Sequence, residues 1–314
     1  MTAKNKQHSP SSAAQTSQNG FSIISREKLL QIYSTMVKCR MLEERARILA
    51  RQNKSAAGRG AGARLEAVAA GLGIDLLPED TVVLSAEDLI PAFIKGVPPD
   101  EILRHLASAP ANKASVNTGA FAAFNVVAAP LPVGVRLSIA TGVALANKQA
   151  KSGKVVLVFS SEPGAAGACT ESLAFASGRE LPIVFVLLGG VRARAGRKPK
   201  PGNSRLESET CGLPVITVDR NDAVAVYRVA HVAIAHARRG GGPTLIEAQP
   251  FALHGEGLGK QTETEDPILN MQTYLTRKGL YAETLRAEVT DRFQIELDAA
   301  LSARSRAHLH KQKR

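Results

Sequence analysis

A three-layer α/β fold, in which a mostly parallel sheet carries helices on both faces, follows from three observations on this 314-residue sequence. The runs VVLVF (155–159) and IVFVLL (183–188) are apolar without alternation, the pattern of strands covered on both sides. From Val135 onward, segments of helical period alternate with short β-rich segments, which is how βαβ units read. The apolar fraction, 44%, is enough to bury a core of domain size.

The elements follow in order. The first twenty residues are Ser-, Gln- and Asn-rich, lack an apolar stretch of signal-peptide type, and are expected to form a disordered arm. Residues 21–302 form one domain and 303–314 a basic tail. From Ser25, a suitable N-cap, to about Gln52, Leu29, Ile32, Tyr33, Met36 and Val37 keep a helical spacing. Gly58, Gly60 and Gly62 mark a flexible loop, and Arg64 to Leu76 resumes a helix. Thr81 to Leu84 reads as a strand and Pro98 to Leu106 as a surface helix opened by prolines. The Ala-, Asn- and Ser-rich stretch from 110 to 135 supports no assignment. Then come helix Val135–Ala150, strand Lys154–Phe159, helix Ala165–Ser177, strand Pro182–Leu188, strand Val215–Val218, helix Asp222–Arg239 and strand Thr244–Ala248. One or two further helices fill Asp266 to about Leu301.

The formal charge is +12, a surplus that points first to polyanionic partners. Its distribution weakens that reading. Residues 1–20 hold two lysines, 303–314 hold five basic residues, and the loop holds Arg192, Arg194, Arg197, Lys198, Lys200 and Arg205, all without an acid. The rest of the chain is close to neutral. Nucleic acid is disfavoured as a partner, because 4% aromatics and no Trp leave little for base stacking. The loop can instead hold an anionic ligand, dock an acidic chain, or simply be solvated. No apolar run approaches the about 20 residues of a membrane span, so no membrane role is expected. Three cysteines without metal-site spacing suit a reducing, cytoplasmic setting. Cys169 and His105, His231 and His236 read as packing or surface residues, since no catalytic partner accompanies them.

In a doubly wound sheet, ligands sit beyond the C-terminal strand ends, here Ser160 to Gly164 and Gly189-Gly190. Neither segment carries a Walker A sequence or a Gly-x-Gly-x-x-Gly turn. The segments LLQIYSTMVKCRMLEERA, LEAVAAGL, SIATGVALANK, GKVVLVF, ESLAFA, LPIVFVLL, VDRNDAVAVYRVAHVAIAHARRGGGPTLIEA and DPILNMQTYLTRKG, in this order from about 25 to 300, carry a resemblance. The chain resembles the α subunit of the first, decarboxylating component of thiamine-diphosphate-dependent 2-oxo acid dehydrogenases, the pyruvate, branched-chain and acetoin group.

That resemblance implies a thiamine-diphosphate-binding fold, thiamine diphosphate and Mg²⁺ as cofactors, and oxidoreductase chemistry on a 2-oxo acid or acetoin with a lipoyl acceptor. It also implies a homodimer or a heterotetramer with a β-type subunit, which supplies the glutamate that activates the thiazolium. The site residues depart from the pattern. The family's metal-binding Asp after the first of the two strands falls on Ser161, and the Asn pair after the second falls on Gly189 and Gly190. Glu162, one position along, is the candidate for a shifted metal ligand. A Tyr-Arg pair that meets the diphosphate corresponds to Ala86 and Glu87, which reverses the charge. A second Tyr-Arg reads Phe251-Ala252, and the loop histidine falls on Glu256, with His254 two positions away as the weak catalytic candidate. Gly-Ile-Val-Gly reads Leu131-Pro132-Val133-Gly134, placing Val133 at a cofactor position. The loop before Asp266 is shortened. The expectation is therefore a dehydrogenase α-subunit-like protein that is non-catalytic or cofactor-deficient, a pseudoenzyme. An active subunit with remodelled ligands is the alternative, and anion or nucleic-acid binding through the basic loop is a third.

Overall fold

The computed structural model describes residues 24–52, 64–85, 89–108, 121–129, 131–160, 165–188, 212–250 and 266–312. Six strands, β1 (Thr81–Ser85), β2 (Val126–Ala129), β3 (Val156–Ser160), β4 (Ile183–Leu188), β5 (Val215–Asp219) and β6 (Thr244–Gln249), form one sheet in the order β2-β1-β3-β4-β6-β5. Every pairing is parallel. The expected strands are present, each bounded within about two residues of its sequence assignment. β2 is not readable in the sequence, because VVAA has only four residues, lies at the sheet edge, and sits in an Ala-rich stretch where nothing marks it as β rather than helix.

The helices among the described residues are α1 (Arg26–Gln52), α2 (Glu66–Gly73), α3 (Ile90–Ile94), α4 (Pro99–Ser108), α5 (Val133–Gln149), α6 (Ala165–Gly178), α7 (Ala223–Arg238), α8 (Pro267–Arg277) and α9 (Glu283–Gln312). The short α3 also escaped the sequence reading, since one turn and a half cannot show a period. The backbone of α9 runs on through most of the segment expected to be a basic tail. Residues 1–23, including the arm, lie outside the described residues.

Two apolar layers sandwich the sheet. Val83, Val156, Val158, Ile183 and Phe185 face Leu137, Ala140 and Ala144 of α5 and Leu173 and Ala176 of α6. The alternate residues Val82, Leu84, Val155, Leu157, Val184 and Val186 face Val226, Ala230 and Ile234 of α7 and Val68 and Leu72 of α2. A strand buried on both sides must be apolar at both parities, which is why VVLVF and IVFVLL lack alternation. Outside α2 and α7, a third cluster joins Leu29, Ile32, Tyr33 and Met36 of α1 to Ile268, Met271 and Leu275 of α8.

Local chemistry sets the helix starts. Ser25 Oγ accepts from Lys28 N at 3.2 Å, as the N-cap reading of the sequence requires. Asp222 Oδ1 accepts from Val224 N and Ala225 N to open α7, and Asp266 Oδ1 accepts from Ile268 N at 2.9 Å to open α8, with Pro267 following.

Gly71 is where α2 crosses α7 most closely. A Cβ there would stand 2.7 Å from Val226 Cγ1 and 3.0 Å from the Tyr227 backbone nitrogen. Gly71→Ala gains about 1 kcal/mol of helix propensity but must separate the two helices, so a net loss of about 1–3 kcal/mol is expected in urea unfolding. Unchanged stability would show that the helices can shift apart freely.

Fastenings join distant parts of the chain. Asp80, 0% exposed, accepts from Leu77 N at 2.7 Å and Val155 N at 2.9 Å, and takes both Arg238 Nη1 at 3.0 Å and Nη2 at 2.7 Å. On the outer side, Arg40 of α1 bridges buried Glu66 of α2 and Asp266, at 2.8 Å from the latter. Burial pushes the Glu66 carboxyl up, with Arg40 opposing incompletely. A third group gathers on Asp75, which accepts from Lys28 at 2.8 Å and Tyr227 Oη at 2.7 Å and pairs with His231 Nδ1 at 2.9 Å. Burial raises the Asp75 pKa, but these partners outweigh it and hold the carboxyl below its ordinary range.

Candidate functional site

In this sheet the strand order reverses between β1 and β3: β2 lies on one side of β1, and every later strand lies on the other. A ligand crevice is expected there, beyond the C-terminal ends. The register Val83↔Val158, continued by two steps, sets Ser85 opposite Ser160, the last residues of β1 and β3, while Ser160 itself pairs with Leu187 of β4. The ends of the three strands that precede the candidate residues thus lie side by side on one edge.

Side-chain parity places both serines on one face. Ser160 has the parity of Val156 and Val158, and Ser85 that of Val83, so both point toward the α5 and α6 layer. Both are buried, and Ser160 Oγ has no hydrogen-bond partner. Above them begins α5, whose N-terminus lies at this edge because the helix leaves β2 and returns to the start of β3. Pro132 precedes it and provides no side-chain cap. Val133, the cofactor position of the sequence reading, is half-buried in the first turn.

Sequence reasoning missed the most unusual residue of this edge. Arg136, in the first turns of α5, is 1% exposed and stands first among the largest fully buried side chains. Helical side chains lean toward the N-terminus, and its Nη1 donates to the carbonyl of Leu131, ahead of the helix, so the guanidinium lies at the C-terminal edge of the sheet. The signal was present. Arg136, Ala140 and Ala144 recur every four residues on the core face of α5, and a cation in such a stripe marks a site before a surface.

Ala86, Glu87, Ser161, Glu162, Gly189, Gly190, His254 and the basic residues Arg192, Arg194, Arg197, Lys198, Lys200 and Arg205 lie outside the described residues. So do Phe251, Ala252, Glu256 and the side chain of Cys169. Cys39, in α1, is a buried free thiol whose pKa is pushed up by burial. The His105 ring stacks obliquely on Phe121, and burial holds its pKa down. His236 packs beneath Gly241, and His231 meets Asp75. None of the three faces the sheet edge with a catalytic partner among the described residues.

A magnesium ion asks for about six oxygen ligands, with carboxylates and carbonyls prominent. Among the described residues no group of three or more His, Cys, Asp or Glu comes together to hold a metal. The described edge carries two serines and a buried arginine and no carboxylate, a set of side chains ill suited to a divalent cation.

This arrangement, a six-stranded parallel sheet that reverses its strand order between β1 and β3 and carries helices on both faces, is that of an α/β protein of the thiamine-diphosphate-binding fold class. In agreement, the chain aligns along 90% of its length with 47% of a transketolase from Pichia stipitis at a TM-score of 0.51 and 15% identity, a likeness of fold. Residues 33–312 match the family described as "Dehydrogenase E1 component", and the chain belongs to that family. It is similar to the pyruvate dehydrogenase E1 component subunit α of Acholeplasma laidlawii, 30% identical over 192 residues, covering 52% of this chain and 54% of that protein. The same subunit of Staphylococcus aureus is 27% identical over 194 residues, covering 56% and 52%. The chloroplastic subunit α-3 of Oryza sativa subsp. japonica is 28% identical over 310 residues, covering 88% and 71%. The chain spans about half the length of the first two of these relatives. Among the described residues, no helix is long and apolar enough to cross a membrane.

Proposed function

We propose that this chain is an α-type dehydrogenase subunit that no longer binds magnesium diphosphate in the family's manner and acts through assembly, with a second copy or with a β-type subunit. One observation supports the reading: a buried guanidinium, Arg136, stands in the first turns of α5, at the sheet edge where the resemblance places a divalent cation. Cation beside cation is unfavourable in a site of low dielectric. The sequence supports it, since Ser161 has a hydroxyl where the family has a carboxylate, and Gly189 and Gly190 have no side-chain oxygen at all. For partner binding, Val135 at 45% and Phe175 at 43% exposure leave apolar area on the outer faces of α5 and α6. A free, buried Cys39 suits a reducing compartment such as the cytoplasm.

Thiamine diphosphate with Mg²⁺, titrated calorimetrically into the purified protein with and without a co-expressed β-type chain, tests the reading. The expected result is no magnesium-dependent binding in the micromolar range. Magnesium-dependent micromolar affinity in either arm would instead favour an active subunit with remodelled ligands, working on a 2-oxo acid or acetoin.

A further inference from the structure

We infer that residues 303–312, the last turns of α9, dock into the major groove of duplex DNA and meet its phosphates on both sides without reading sequence. This role is independent of the crevice and of the assembly proposed above.

The earlier part of α9 is fixed on the domain. Phe293 and Leu297 are buried, Ala300 and Leu301 pack against the same core, and Arg45 meets Asp298 at 3.4 Å. From Ser302 the helical backbone continues for ten residues to Gln312, roughly 15 Å at the α-helical rise. Asp298 is the last acid of the chain, and Arg304, Arg306, Lys311, Lys313 and Arg314 follow it, with His308 and His310 among them. In an irregular tail such charges have no arrangement, but on a helix they acquire one. Arg304, His308 and Lys311, at i, i+4 and i+7, fall on one line of α9. Arg306 and His310, four apart, fall on a second line that begins about 200° around the helix from the first, on the opposite side. Ala303 and Ala307 lie between the two lines.

Two opposed basic lines with small residues between them suit one kind of partner. The major groove of B-form DNA is about 12 Å wide, close to the diameter of a helix with its side chains, and sets a phosphate strand along each flank. An acidic protein surface would meet one line only. It would also rely on large apolar or aromatic anchors, of which these ten residues offer only Leu309. A membrane surface asks for a continuous apolar face, which the two lines interrupt. The major groove of duplex RNA is deep and narrow, and does not admit a helix in this way. Contact with phosphates needs no base stacking, so the scarcity of aromatic residues is no obstacle to it.

The test is fluorescence anisotropy of the full chain with a labelled random-sequence DNA duplex of about 20 base pairs, between about 50 and 200 mM salt. Arg304→Gln/Arg306→Gln/Lys311→Gln removes charge from both lines, whereas Ala307→Pro keeps every charge and breaks the helix. Arg192→Gln/Arg194→Gln/Arg197→Gln removes charge from the other basic segment. The expected result is duplex binding whose logarithmic salt slope becomes shallower by about 2–3 in the first variant. Affinity is expected to fall at least about fivefold in Ala307→Pro and to stay within about twofold in the third variant. Absence of duplex binding at the lowest salt overturns the inference, as does a loss confined to the third variant. Full affinity in Ala307→Pro overturns it too, because an irregular cationic tail would then suffice. So does equal or tighter binding of duplex RNA or of polyglutamate, which would assign the segment to RNA or to an acidic protein partner.

Discussion

Asp80→Ala is expected to cost about 3–5 kcal/mol, read as a fall in the urea midpoint at constant slope. The carboxylate is fully buried and simultaneously receives two backbone N–H groups and the fork of Arg238. Its removal leaves the amides of Leu77 and Val155 without their acceptor and the guanidinium without its counter-charge. Arg238 also donates to the Gly153 carbonyl at 3.0 Å, so it stays anchored at one point. The double variant Asp80→Ala/Arg238→Met is therefore expected to lose less than the two single losses combined, because the orphaned charge goes with its partner. Strict additivity in that cycle would show that the pair has no coupling.

Arg40→Met is the second large effect, and its signature is pH dependence. Arg40 joins Glu66 and Asp266, and so ties α2 to the start of α8 through α1. Glu66 is 1% exposed, and burial already raises its folded pKa above the ordinary carboxylate value despite the arginine. Without Arg40 the shift grows. A carboxyl whose folded pKa lies above its unfolded value favours the folded state when protonated, and that contribution is lost as pH rises through the folded pKa. The variant is thus expected to lose about 3–5 kcal/mol at pH 8 and clearly less in acidic solution, as Glu66 takes up a proton. Asp266 works in the opposite direction. Burial raises it, but Arg40 and the α8 amides hold it below its ordinary value, so the wild-type pair contributes stability that fades as pH falls. Equal losses at the two pH values would show that Glu66 titrates normally in the variant.

Neither fastening was legible in the sequence. Asp80 and Arg238 stand 158 residues apart, and nothing local distinguishes them from surface charges. By contrast, the strands of the sheet centre announce themselves, because burial on both faces imposes an apolar residue at every position of IVFVLL. The edge strand β2, with four residues and small side chains, gave no such signal. The site divides in the same way. Its location follows from which strands end in Ser160 and Leu188. The loop residues at the family's ligand positions carry the sequence signal, while the charged group that the structure sets at this edge, Arg136, belongs to a helix. Arg136 passes unnoticed in VGVRLSIATG until the helical phase is drawn and it falls in line with Ala140 and Ala144.

The position of Asp80 has one further consequence. It precedes β1 and grips the amide just ahead of β3, so this tie holds together the end of the sheet opposite the crevice. The same two strands that finish in Ser85 and Ser160 are thus clamped at their beginnings, about five residues away. Substitutions at the finishing end leave the clamp untouched. Stability at the beginnings of these strands is therefore set apart from whatever the strand ends hold.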